Sequence, residues 1–226
     1  IYARKGNVER VAIILITSNG GLCGAFNTNV AKQAVNLAKE KYAYQVSQNW
    51  VDFFCIGKKG VEQLKSRGFS SKENYNHLLE KLSYDKVAEI AAIFMDSFAS
   101  GKYDAIEIIY NKFKNAASQQ LHTERFLPVE SKVQTTIVAS NDYIFEPTKE
   151  QIIKELIPKS LKIKFYSAIL ESVASEHGAR MTAMHKATDN ASEFLKALRL
   201  EYNKARQASI TNEILEIVSG ANALNG

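Results

Sequence analysis

Cysteine, proline and tryptophan are scarce: the 226 residues hold two, three and one of them. Cys23 and Cys55 form no CxxC pair and are too few for a disulfide framework, which excludes a stapled mini-protein and reads as a reducing compartment. A chain of this length buries enough surface to need no staples. Three prolines and eleven glycines also exclude collagen-like and low-complexity disordered classes. Long apolar runs are missing, since the best of them, Val11–Ile16, is strand-sized and far short of the roughly 20 residues a membrane span needs. Ile1–Asn7 carries no apolar stretch of its own, so no signal peptide is expected, and the opening without Met reads as a processed or truncated form. A dominant charge is missing too. Residues 1–149 hold 19 Lys and Arg against 15 Asp and Glu, and the remainder 10 against 9, for a net charge of +5. Charge so evenly spread describes a solvated face and argues for neither nucleic acid nor an acidic partner.

What is there changes character along the chain. Val11–Ile16 is a continuously apolar, β-branched run that ends at Thr17-Ser18-Asn19-Gly20-Gly21, as a buried strand entering a turn does. Asn27 or Thr28 is placed to cap a helix with Val30, Ala34, Leu37 and Ala38 on one face. A second strand, Val51–Ile56, stops at Gly57-Lys58-Lys59-Gly60, and an amphipathic stretch from Val61 to Lys65 closes at Arg67-Gly68. Tyr84–Phe98 predicts a longer helix, Ala105–Tyr110 a third strand, and Glu124–Pro128 the start of a further element. This alternation predicts an α/β fold with a parallel or mixed sheet covered by helices.

From about Pro147 the pattern is helical. Between Lys159 and Ser219 the only glycine is Gly178, so some 60 residues lack an ordinary breaker and would make a rod of roughly 90 Å projecting from the sheet domain. Met184, Thr188, Ala191, Leu195, Leu198, Tyr202 and Ala205 recur at four-three spacing, a coiled-coil seam of small and partly polar residues. Tyr84–Phe98 is too short to partner it, so the second helix is expected from another segment or another chain. Ile210, Ile214, Leu215, Ile217, Val218 and Leu224 give the rod an apolar tip, which implies a socket.

Few constellations carry chemistry. Gly20-Gly21-Leu22-Cys23-Gly24 lies between strand and helix, where phosphates bind, yet it matches neither GxxxxGK[ST] nor GxGxxG, and no Asp or Glu ends the second strand to hold a ribose. Glycine's permissive backbone accounts for it as a packing turn. Cys23 reads as a small packed residue. His77, His122, His177 and His185 form no HxxxH or HExxH pair, and Glu73 with His77 supplies only two ligands, so no metal or other cofactor is expected.

Three blocks carry a family resemblance. Thr17–Asn27 resembles the SDRGLCGGFN stretch of the gamma subunit of F-type ATP synthases. Ser175–Ala191 resembles that family's ARMxAMxxATDNA block, and Tyr202–Ile214 its YNxARQASITxEL block, followed by Glu216-Ile217-Val218-Ser219-Gly220-Ala221. The resemblance implies a Rossmann-like α/β domain over residues 1–146, the foot of a rotor, and a long C-terminal shaft helix over 147–226. It implies a non-catalytic central-stalk subunit that couples proton-driven rotation to ATP synthesis in the beta subunits. Its partners would be the alpha3beta3 hexamer, the epsilon subunit and the c-ring, with no nucleic acid and no direct membrane insertion. The location implied is peripheral, at the cytoplasmic face of a bacterial inner membrane or the matrix side of the mitochondrial one.

Position by position, Arg206, Gln207 and Thr211 match residues that contact the catch loop of a beta subunit. Tyr143 and Glu146 match the foot that meets the proton-translocating ring, and Arg180 a position of shaft packing or stator contact. The resemblance implies that the missing coiled-coil partner of the seam is the family's N-terminal helix, which has no counterpart here, since the first strand begins near Val11, and the chain is therefore read as a fragment. Two other readings stay open beside this one: an α/β enzyme binding a nucleotide at Gly20–Gly24 with a helical dimerisation extension, and a coiled-coil scaffold that self-associates through Met184–Ala205.

Overall fold

The computed structural model describes residues 2–4, 6–116, 118–129 and 148–224. They fall into two compact units, Ile1–Thr182 and Ala183–Gly226.

The first unit is built on a five-stranded sheet. Its strands are β1 (Val11–Ile16), β2 (Val51–Ile56), β3 (Ser71–Asn74), β4 (Ala105–Asn115) and β5 (Ser118–Leu127), in the spatial order β3-β2-β1-β4-β5. β1 is central and parallel to both neighbours, pairing Ile13 with Phe53 on one side and Glu107 on the other. Its six residues are all buried, which is why the run is apolar without alternation. β5 returns antiparallel on β4, so the sheet is mixed.

Successive side chains point to opposite faces and sort the core into two clusters. Val11, Ile13 and Leu15 meet α1 (Phe26–Lys41) through Val30, Ala31 and Ala34, and, beyond the short α2 (Ala43–Ser47), α3 (Lys58–Lys65) through Leu64. Ala12, Ile14 and Ile16 share the other cluster with Phe94 and Phe98 of α4 (Tyr84–Ala99) and with Leu161, Phe165 and Ile169 of α5 (Lys149–Leu224). Phe165 sits between Phe94 and Phe126, with ring centroids at 6.1 and 5.5 Å. Burying a side chain of this size stabilises by about 1.5–3 kcal/mol, so this stretch of α5 belongs to the sheet's own core.

Several details depart from the sequence reading. The first helix starts at Phe26 with Ala25 before it and no side-chain cap. Asn27 therefore lies inside the helix and turns back to β1, its Oδ1 accepting from the Ser18 amide at 2.9 Å and its Nδ2 donating to Ser18 Oγ at 2.8 Å. β3 is a short, polar strand with no apolar alternation to reveal it. α5 begins at Lys149 and carries Pro158 inside it, although Pro158 cannot donate to the Lys154 carbonyl. Leu161 and Phe165, buried directly after it, hold that segment in place. Gly57 has φ of +115°, and a Cβ there would stand 2.4 Å from the Thr17 carbonyl oxygen. The turn between β2 and α3 thus presses on the end of β1 and admits only glycine.

The second unit continues helical to Leu224. From Met184 to Asn222 every residue is exposed. At 1.5 Å per residue these turns extend roughly 60 Å.

Candidate partner-binding surface

The glycine turn after β1 is closed by the chain's own groups. Lys58 N donates to Asn19 Oδ1 and Lys59 N to the Ser18 carbonyl, each at 3.1 Å, so the first amides of α3 are met by the turn itself. The Ser18 amide goes to Asn27, and Phe26 N to the Cys23 carbonyl at 3.3 Å. The amides that flank the turn, at Ser18, Phe26, Lys58 and Lys59, are thus taken by the chain itself. Cys23 is buried beside Asn27 Nδ2, 3.3 Å from its sulfur. Cys55 is also buried, and desolvation pushes its thiol up to about 11, against a smaller opposing pull from the Ser71 hydroxyl. His77 and His122 pack edge-on to Tyr75 and Tyr110. Among the described residues no three His, Cys, Asp or Glu side chains converge as metal ligands.

Arg180 lies over that turn. Its Nε donates to the Gly21 carbonyl at 3.3 Å, and its Nη2 to Glu176 Oε1 at 2.6 Å. Beside it Ala179 packs with Cys23 and Phe26 in a small cluster of its own. Leu22, at the tip of the turn, takes a left-handed conformation with φ of 62° and is 75% exposed. Nothing in the sequence marks this leucine out among the neighbouring glycines; backbone geometry alone brings it forward.

Arg206, Gln207 and Thr211 lie in the second unit and are exposed. Thr211 Oγ1 donates to the Gln207 carbonyl at 2.8 Å, which leaves its oxygen free to accept. Neither the Arg206 guanidinium nor the Gln207 amide has a hydrogen bond or ion pair among the described residues. At about 100° per residue the three side chains span an arc of roughly 140°, broad enough to address one loop but not to form a pocket. Tyr143 and Glu146 lie outside the described residues.

The heptad residues Met184, Leu195, Leu198 and Tyr202 are exposed, and a shallow channel along the helix is lined by Met184, Ala187, Thr188, Ala191, Ser192 and Leu195. Phe194, Leu200 and Ile217 are exposed as well, at 65, 59 and 71%. The first two stand off the four-three seam and were not anticipated, because a seam search discards apolar residues between its rows. Apolar surface presented on several sides of a helix calls for more than one partner element. In the first unit a groove of about 550 Å³ runs between Tyr2, Val129 and Ile153, Ile157 and Leu161 of α5, with Lys154 at its rim.

A family model described as ATP synthase matches residues 1–224. The ATP synthase gamma chain of Cytophaga hutchinsonii is 53% identical over 228 residues, a match that covers all of this chain and 77% of that relative. Among solved structures, the chain is similar to one in the mitochondrial ATP synthase OSCP/F1/c-ring assembly of Euglena gracilis, with a TM-score of 0.68 at 23% identity over 96% of this chain and 73% of that one. A chain in the central stalk/c-ring structure of the Tetrahymena thermophila mitochondrial ATP synthase gives 0.60 at 24% identity, covering 82% and 79%. At such identities the likeness is one of fold.

Proposed function

The chain belongs to the ATP synthase family as a gamma chain, and from that premise we propose that it is the non-catalytic rotor of the complex, coupling proton-driven rotation to ATP synthesis on the beta subunits. The observation that carries this reading is the second unit: some forty residues of helix with apolar rows on several sides and nothing packed against them among the described residues. A helix of that kind is built to be surrounded.

Under this reading residues 1–146 serve as the foot and 147–226 as the shaft. The seam at Met184–Ala205 takes a second helix, and the remaining faces turn inside an alpha3beta3 collar. The epsilon subunit and the c-ring meet the foot, with Tyr143 and Glu146 on the ring side. No helix among the described residues is long and apolar enough to cross a membrane. We place the subunit peripherally, on the cytoplasmic face of a bacterial inner membrane.

Rotation would act through differential contact. A shaft that touches three catalytic subunits unequally changes their relative conformational free energies at each angle, and hence their nucleotide affinities. A tenfold change in affinity needs only about 1.4 kcal/mol. Arg206 alone, donating charge-assisted hydrogen bonds to a carboxylate-bearing loop, can supply roughly that. Arg206, Gln207 and Thr211 are therefore the proposed catch-loop contacts, and the chain needs no catalytic residue of its own.

The test is assembly. Mixed with an alpha3beta3 hexamer and a peptide of the seam-partner helix, the chain is expected to join the complex and to turn a probe on addition of ATP. Titration of the isolated chain with millimolar ATP, ADP or NAD is expected to show no saturable uptake. Tight nucleotide binding to the chain alone, without assembly, would overturn the rotor reading.

A further inference from the structure

Resting on that rotor reading, we propose that residues 176–182 of α5 form a grip by which the sheet unit resists twisting of its own helix, with Arg180 as the positioning residue and Gly178 as the point of close approach. Two segments distant in sequence hold this stretch. One is the turn after β1, which offers the Gly21 carbonyl to Arg180 Nε at 3.3 Å and packs Cys23 and Phe26 against Ala179. The other is the turn after β4. A Cβ on Gly178 would lie 2.8 Å from the Ala116 carbonyl oxygen, and Thr182 Oγ1 stands 3.3 Å from the same oxygen and 3.1 Å from the Gly178 carbonyl.

The position explains the construction. β1 and β4 are parallel neighbours; β1 runs on through the glycine turn to α1, and β4 turns back into β5, so both turns lie beyond the carboxyl ends of adjacent strands. Here α5 passes through that place. The guanidinium of Arg180 closes over the first of these turns by donating to the Gly21 carbonyl.

Contact at two separated points resists rotation of a rod about its axis, whereas a single apolar face allows it to roll. Upstream, Leu161, Phe165, Ala168 and Ile169 supply such a face. The forked contact of Arg180, fixed in turn by Glu176 at 2.6 Å, and the backbone contact at Gly178 supply the two points. Arginine suits the task because its planar fork donates in two directions at once, which an ammonium cannot reproduce.

The experiment uses the assembled complex. Both native cysteines are buried, so a cysteine introduced by Lys86→Cys on the exposed side of α4 takes a probe selectively. With the hexamer immobilised, the angular variance of the probe during a nucleotide pause reports the torsional stiffness between hexamer and sheet unit. Arg180→Gln and Gly178→Ala, made separately, are each expected to raise that variance about twofold, as befits loss of one of two holding points. Arg180→Lys is expected to leave it raised, and ATP turnover of the hexamer with Gly178→Ala should stay within about a factor of two of the unchanged complex, since Gly178 faces the Ala116 carbonyl of its own chain. Unchanged variance in both variants, or full recovery with Arg180→Lys, overturns the grip while the probe still turns. A probe that never turns with the unchanged chain overturns the rotor reading and the grip with it.

Discussion

Individual buried polar groups in the first unit are held by several partners at once, and Glu107 is the sharpest case. This β4 carboxylate, almost fully buried, accepts from Tyr42 OH at 2.6 Å, Lys41 Nζ at 2.7 Å and Arg125 Nε at 3.3 Å. Glu107→Gln keeps the shape and removes the charge, leaving two cations without their shared counter-ion. It should cost about 2–4 kcal/mol, read as a thermal midpoint lower by several degrees. Cys55 makes a different statement. Its thiol holds its proton to about 11 in the folded chain and to the ordinary 9.0 when unfolded, so between those values the folded state binds more protons. The associated stability is complete below pH 9 and disappears as pH rises through 11, a loss of about 2–3 kcal/mol. Tyr42, Tyr75, Tyr103 and Tyr110 are all pushed upward, chiefly by burial, and deepen the decline above pH 10. Urea midpoints should be flat from pH 7 to 8 and fall from pH 9 to 11. Cys55→Ala should flatten the first part of that fall, and an unaltered slope would place the titration elsewhere.

Elements differ in how plainly they announce themselves. β1, β2, α1 and α4 were legible because each has one dominant environment: a strand buried on both faces, or a helix with a single apolar stripe. β3 was not, because an edge strand of Ser, Lys, Glu and Asn draws its order from hydrogen bonds to β2 and not from apolar burial. Asn27 carries the signature of a helix cap, but its partner is the end of β1, a tertiary contact that local pattern does not encode. Pro158 did not interrupt the helix expected from about Pro147, because packing by Leu161 and Phe165 overrides a local breaker. The exposed helix of the second unit is the reverse case. Its four-three rows were visible and its off-row residues Phe194 and Leu200 were not, although both are more exposed than the seam residue Leu198. Leu195→Glu therefore separates folding from assembly. The side chain is half-exposed, so the isolated chain's unfolding midpoint should move by less than about 0.5 kcal/mol. Association with a seam-partner helix should weaken about tenfold or more, because a charge is driven into an apolar row. Calorimetry on the chain and titration with the partner peptide measure the two effects independently.

The molecule as a whole combines one unit with a complete core and one with none of its own among the described residues, and these answer different demands. The sheet unit buries β1 entirely and ties the flanks of its glycine turn, the Ser18 and Phe26 amides, to Asn27 and the Cys23 carbonyl, as a stable support does. The second unit leaves apolar and charged side chains in water, so its stability in use must come from partners. Composition and periodicity led as far as that need for partners. They could not name the partners, because exposed Arg206, Gln207 and Thr211 look like any solvated helix surface until they are matched to a family. The proposed catch-loop contact therefore turns on whether those side chains act on something. Arg206→Ala removes an exposed guanidinium that touches nothing else described, so the unfolding midpoint of the isolated chain should stay within about 0.5 kcal/mol of the parent. In the reassembled complex, ATP-driven torque should fall, with a coupling loss of about 1–2 kcal/mol for a charge-assisted hydrogen bond. Gln207→Ala, losing only a neutral bond, should cost about half as much. Raising the salt from about 0.05 to about 0.5 M should shrink the Arg206 effect and spare the Gln207 effect, because screening acts on the charged contact alone. Equal sensitivity of both variants to salt would mean that their losses come from general disturbance of the shaft, and unchanged torque in Arg206→Ala would remove that residue from the contact with the beta subunit.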